Sequence, residues 1–340
     1  MKTKLFAAII AILSISLFVV SCADKNLRQG KILMQNEYQD YERAIEQFEM
    51  SLEKNPENVE AWLLKGEAHG ELEQWRKMDE SFDKVVELDP SYKQEIDKYR
   101  EQKWKKIFDR GNAENDKKNF NAALEKFETA MIIDDNKFES YYNAAIAANQ
   151  LELDKKAYEY AKTAYEMNPE SASNAKLFAE ICYKQGRFDE AVTAFKEARE
   201  LDEQTTYIDL RLARIYENEE DYENASKHYE LALDSAPDNA DIWFNLGVMY
   251  LQKLEDLPKA DNAFARATQY NPEDVDAAFN RILVLSRMEK FDEAIEVLEK
   301  LEQQDPENCD IYDLGASIHQ ELGNKGKVNE YIRKGRECSE

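Results

Sequence analysis

The sequence predicts an all-α solenoid of about nine stacked helical hairpins, and three observations carry that expectation. Six of the seven prolines, Pro56, Pro90, Pro169, Pro237, Pro272 and Pro306, stand 34, 79, 68, 35 and 34 residues apart. These gaps are one, two, two, one and one periods of 34, with 11 residues added in the second and one in the fourth; a period of that size is a pair of helices with its turns. Between the prolines, small residues and aromatics recur at the three- and four-residue steps that share one helical face. With 43% hydrophobic residues and only 10 Gly, the chain can fill a core and has too little glycine for a loop-rich fold.

The first element lies outside that array. "MKTKLFAAIIAILSISLFVVSC" carries Lys2 and Lys4, an apolar run from Leu5 to Val20, then a small residue before Cys22, the three-part chemistry of a secretory signal. The run falls short of the roughly 20 residues that a spanning helix needs, so residues 1–21 read as a removable signal rather than a transmembrane anchor. "VVSC" resembles the lipobox of bacterial lipoproteins, which implies that Cys22 is lipidated and becomes the first mature residue. Ala23 follows where the inner-membrane retention signal would show Asp, which favours the outer membrane, facing the periplasm. Cys22 and the short segment to residue 26 then tether the fold, the about four residues after Cys22 reaching roughly 14 Å fully extended.

The repeats fill residues 27–340. Trp243, Leu246, Gly247 and Tyr250 are followed by Ala260, Phe264, Ala267 and Pro272, which resembles the tetratricopeptide repeat pattern, with one residue inserted near Pro258. Further copies run through Trp62, Gly66, Phe82 and Pro90, through Gly111, Ala123 and Phe127, and on through Ala179, Ala191 and Phe195. The first copy, near Gly30 and Phe48, has a lengthened turn, and the last, over 308–340, is a degenerate cap. The resemblance implies a right-handed superhelix in which each hairpin buries its apolar face only against its neighbours. The 11 extra residues before Trp104 equal about three helical turns; inserting whole turns keeps helical phase, so a single long helix is expected over about 91–116.

Charge and motifs narrow the function. Against 45 Lys and Arg stand 70 Asp and Glu, a net charge of −25, and such a polyanion is a poor partner for nucleic acid, whose affinity rests on neutralising phosphates. His69, His228 and His319 lie in different repeats, and no H-E-x-x-H, C-x-x-C, phosphate loop or nucleophile elbow occurs. Acidic stretches such as "ENEEDYENA" (217–225) read as solvated helix and turn surface. No catalytic residue, metal site or cofactor is therefore expected.

The resemblance places function in a concave groove lined by the first helix of each hairpin. Counted so that Trp243 is position 4, the groove positions hold Phe108, Tyr142, Phe244 and Phe279 at position 5, with Asn143, Asn245 and Asn280 at position 6. Position 9 holds Ile146, Val248 and Leu283, and Leu251 extends the set. Trp243, Leu246, Gly247 and Tyr250 are expected to face the core instead. An amide at position 6 can donate to a peptide C=O and accept from its N–H. Lys176, Lys184, Arg211 and Arg214 fall at groove positions of the fifth and sixth repeats and read as a local basic patch for a carboxylate. The resulting expectation is a noncatalytic scaffold, tied to the membrane through its lipid alone, that binds a protein or peptide in the cell envelope. The alternatives are a structural subunit of an envelope assembly or secretion machine engaged by its convex surface or ends, and, of another class, a small-molecule or sugar-binding receptor or an enzyme.

Two cysteines complete the reading. The midpoint between Cys309 and Cys338 falls in the turn "GNKG", and an antiparallel hairpin brings residues so placed together in a compartment that permits oxidation. A disulfide there is expected, worth roughly 3 to 4 kcal/mol in the chain-entropy account. Cys182, at a core position, is expected to stay a buried thiol.

Overall fold

A computed structural model describes residues 24–35, 37–202 and 205–339. Cys22 and the signal lie outside the described residues. Among the described residues there are eighteen α-helices and no strand. The helices group into two units that part between Asn168 and Pro169. The first holds α1 (Lys25–Leu33), α2 (Tyr41–Lys54), α3 (Val59–Glu71), α4 (Trp75–Leu88), α5 (Lys93–Asp116), α6 (Phe120–Ile133), α7 (Phe138–Gln150) and α8 (Asp154–Met167). The second holds α9 (Ala172–Lys184), α10 (Phe188–Leu201), α11 (Thr206–Asn218), α12 (Tyr222–Ser235), α13 (Ala240–Gln252), α14 (Leu257–Tyr270), α15 (Val275–Arg287), α16 (Phe291–Gln304), α17 (Cys309–Glu321) and α18 (Lys325–Ser339). Consecutive odd and even helices pair as hairpins, four in the first unit and five in the second, and within each unit successive hairpins stack.

Short sequence signals close both kinds of turn. Within hairpins, the amides of Gln74, Asn119, Leu153, Arg187, Asp221, Lys290 and Asn324 each donate over 2.9 Å to a carbonyl five residues back, satisfying the orphan acceptors of the first helix in the manner of a Schellman motif. One residue of each turn is left-handed; Gly186 (φ 71°) and Gly323 (φ 69°) suit it, whereas Glu73, Glu152, Glu220 and Glu289 adopt it at φ 56–59° against the steric cost of a Cβ. Between hairpins, proline stops one helix and an Asn or Asp two residues later caps the next: Asn58 accepts from the Ala61 N–H, Asn239 from Ile242 and Asp274 from Ala277, each cap worth about 1 kcal/mol. The added residues before Trp104 extend α5, a continuous helix of 24 residues that follows a single 3-10 turn at Pro90–Tyr92.

The core of each hairpin is a trade in volume. A Cβ built on Gly66, Gly111, Gly247 or Gly315 would come within 2.5 to 2.7 Å of the ring of Phe82, Phe127, Phe264 or Tyr331 on the returning helix, so the missing side chain is what lets the ring in. In the same register, hairpin four sets Ala145 against Ala161 and hairpin eight sets Ile282 against Leu298, all buried. Cys182 is a buried free thiol, and desolvation pushes its pKa up to about 12, which keeps it from acting as a thiolate near neutrality. Cys309 and Cys338 are joined, their Cα atoms 5.6 Å apart, and so tie the start of α17 to the end of α18.

All three histidines are packed inside, His69 at 4%, His228 at 8% and His319 at 7% exposure. Desolvation holds His69 and His319 below their ordinary pKa of 6.5. The folded protein thus binds their protons less tightly than the unfolded chain, so the stability they contribute is full above about pH 6.5 and is lost as pH falls below it. The urea midpoint is expected to drop between about pH 7 and pH 5.5, and less in a His69→Gln/His319→Gln double variant. A wild-type midpoint that does not move over that interval would sink the account.

Candidate partner-binding surfaces

The second unit places six of the groove residues on two helices that touch each other, α13 and α15. On α13, Phe244 and Val248 are half-buried and Asn245 is exposed; on α15, Phe279, Asn280 and Leu283 are half-buried. Phe244 and Val248 lean on the core of hairpins six and seven, and Phe279 on that of hairpins eight and nine. The Phe244 ring meets Phe264 edge-on at 5.9 Å between centroids, which fixes the outer ring from beneath. Leu251 does not belong to the strip. It is 7% exposed and belongs to the buried core of hairpins six and seven, against which Leu254 and Leu257 also pack. That turn closes with the Asp256 amide donating to the carbonyl of Tyr250, six residues back rather than five.

The amides at position 6 are only partly free. Asn143 and Asn280 each donate one N–H to a carbonyl four residues back in their own helix, Glu139 at 3.0 Å and Asp276 at 2.9 Å, leaving the amide oxygen and the second N–H for a ligand. Asn245 makes no such bond among the described residues. In the first unit, Phe108 stacks on Trp104 at 4.9 Å and lies 5.6 Å from Phe127, while Tyr142, Asn143 and Ile146 are half-buried on α7.

The basic patch is not four available cations. Lys176 pairs with Asp202 at 2.8 Å, and Arg211 pairs with Glu180 at 2.9 Å while lying 5.0 Å from the Tyr207 ring and 5.5 Å from the Tyr183 ring. Those two charges are already met inside the unit, and the side chains of Lys184 and Arg214 lie at the surface. Strong acidity elsewhere in the chain made this pairing available, and position in the repeat alone does not reveal it.

Sequence reasoning missed two features. Asp209 occupies position 4, where Trp62 and Trp243 stand in their repeats, and is fully buried. Its carboxylate accepts from Arg199 Nε at 2.9 and 3.2 Å and lies 3.0 Å from His228 Nδ1, with Tyr216 stacked on the imidazole at 5.5 Å. An acid at a core position was the signal that could have found it. The second is a pair of clefts floored by the position-4 tryptophans, of about 590 Å3 at Trp62 and 540 Å3 at Trp243. A third cleft, of about 770 Å3, is lined by Asp79, Asp83, Asp97, Asp134 and Asp135, with Arg100 ion-paired to Asp79 and Asp83 across it. Among the described residues no group of His, Cys, Asp and Glu could hold a metal ion, and no helix is long and apolar enough to cross a membrane.

Comparison with known proteins returns the same architecture. The model of the Cilia and flagella-associated protein 70 C-terminal domain matches residues 115–319, and two tetratricopeptide repeat models match 27–75 and 59–92. The TPR repeat-containing protein MJ1428 of Methanocaldococcus jannaschii is 24% identical over 57% of this chain and 45% of its own length. The chain spans less than half the length of the curated relatives it matches. Among solved structures, the C-terminal part of a TPR repeat-containing protein from Cytophaga hutchinsonii is similar over 67% of this chain and 93% of its own, with a TM-score of 0.54 at 15% identity. Naa15/Naa10 bound to HypK-THB is similar over 68% of this chain and 36% of that one, with a TM-score of 0.54 at 18% identity. At those identities both likenesses show the fold alone.

Proposed function

We propose that this chain, which belongs to the tetratricopeptide repeat family, is a noncatalytic scaffold that holds a protein or peptide partner against the α13 and α15 strip. The observation that carries the reading is that Phe244, Val248, Phe279 and Leu283 all keep part of their surface in water beside two amides. Adjacent apolar side chains left in solvent mark a surface that something covers. Each ring is held from below by its own core, so little order is lost when a partner binds. The Lys2 to Cys22 segment supports a site of action at the cell-envelope membrane, with Cys22 as the lipid anchor.

A photo-crosslinking residue at position 245 in cells of the native host tests the strip. A discrete protein adduct is expected there, and its yield should fall about 30-fold at limiting partner in a Phe244→Ala/Phe279→Ala variant, the equivalent of about 2 kcal/mol for a pair of hot spots. Equal yield from the folded double variant refutes the strip. For the anchor, Cys22→Ser is expected to move the protein from the membrane to the soluble fraction and to abolish incorporation of labelled fatty acid. A Cys22→Ser protein that remains membrane-bound and labelled refutes it.

A further inference from the structure

The two tryptophan clefts occupy the same place in hairpins two and seven, and one of them carries its own occupant. Trp62 and Trp243 hold position 4, and each indole N–H donates over 2.8 Å to the proline carbonyl six residues earlier, Pro56 or Pro237. In hairpin two, the residue three positions on is Lys65; its ammonium sits 5.2 Å over the Trp62 ring and pairs with Glu49 at 2.8 Å. In hairpin seven the corresponding residues are Trp243, Leu246 and Glu230. The acid and the indole are kept and the lysine is replaced by a buried leucine. The floor becomes apolar, formed by Leu233, Trp243, Leu246, Tyr250 and Ala263. Glu230 accepts one hydrogen bond, from the Tyr250 hydroxyl at 2.5 Å, and Asp234, one helical turn along α12, makes no ion pair among the described residues. The cation on the opposite rim, Lys259, lies over Tyr250 at 4.9 Å rather than over the indole.

We infer that the Trp243 cleft receives a lysine or arginine side chain from a partner polypeptide, in the place that Lys65 fills in hairpin two. The cation lies over the indole face, where a ring quadrupole attracts it, and pairs with Glu230 and Asp234. An apolar neighbour in the partner packs against the exposed part of Trp243, above the buried floor of Leu246 and Tyr250. Trp243 and Tyr250 stand roughly 140° and 160° around α13 from Val248, so this surface is separate from the strip and engages a segment that the strip does not hold. The overall charge of −25 favours the approach of such a segment.

The full chain labelled with 5-fluorotryptophan shows four resonances, one for each tryptophan, and Trp243→Phe identifies the relevant one. The probe is an acetylated, amidated hexapeptide holding leucine followed by arginine between glycines and serines; the control replaces arginine with its neutral isostere citrulline. A saturable shift of the Trp243 resonance is expected with the arginine peptide, and binding about tenfold weaker with the citrulline peptide. Leu246→Lys, which copies hairpin two, is expected to abolish the response by filling the site from within. Glu230→Gln, at an exposed position, should weaken it without affecting folding. Phe244→Ala/Phe279→Ala should leave it unchanged, which separates this site from the strip. No saturable Trp243 shift, or equal binding of the two peptides, overturns the inference. A shift that instead follows protein concentration without peptide makes the occupant a second copy of the chain and overturns it as well.

Discussion

Phe264→Ala is expected to cost about 3 to 5 kcal/mol, the range for emptying a fully buried aromatic site. The ring is fully buried and fits against Gly247 so closely that a Cβ there would lie 2.7 Å from it. It also supports Phe244 edge-on, so the same substitution should loosen the proposed binding strip. Gly247→Ile tests the trade from the other side, because the branched side chain must displace the ring, an overpacking cost of about 1 to 3 kcal/mol or more. Hairpin eight already solves the problem with Ile282 and Leu298, both fully buried. The double variant Gly247→Ile/Phe264→Leu is therefore expected to recover most of the combined loss, with a coupling energy of about 1 to 3 kcal/mol. Urea unfolding gives the total, and amide exchange in α13 and α14 shows whether the loss is local, as stacking of nearest-neighbour hairpins requires. Strict additivity of the two substitutions would refute the size trade.

The hairpins were legible because most of them repeat the same demands: a small residue where a ring must enter, a proline where a helix must end, a cap two residues later. An error at one position is outvoted by eight other copies. The candidate surfaces were less legible because they depend on what a neighbouring hairpin happens to supply. Position 4 reads as core from its pattern, yet Trp243 is only half-buried and floors a cleft; the exposure comes from how α12 and α14 flank it. Leu251 failed for a packing reason, since it is taken into the core of hairpins six and seven. Lys176 and Arg211 failed for an electrostatic one. In a chain with so many acids, a base that the packing brings beside a carboxylate pairs internally before it can wait for a ligand.

Asp209 is the sharpest departure from the repeat, and it yields the last expectation: Arg199→Met should cost about 3 kcal/mol or more, because it strands a buried carboxylate. The carboxylate sits on α11 at no exposure, Arg199 reaches it from α10 of the preceding hairpin, and His228 approaches from α12. The arginine side chain is itself a third exposed, so removing the other partner is far gentler: after Asp209→Leu the arginine can turn to water, and the leucine fills a fully buried position one helical turn from buried Leu212. The expected order of stability is wild type near Asp209→Leu, then Arg199→Met well below both, with Arg199→Met/Asp209→Leu close to Asp209→Leu alone. That order separates a charge that must be neutralised from an ion pair that adds net stability, since replacement of a buried pair by apolar residues is often neutral while breaking it from one side is not. Urea midpoints for the three variants decide it: a deeper loss in Asp209→Leu than in Arg199→Met would show that the carboxylate stabilises hairpins five and six in its own right.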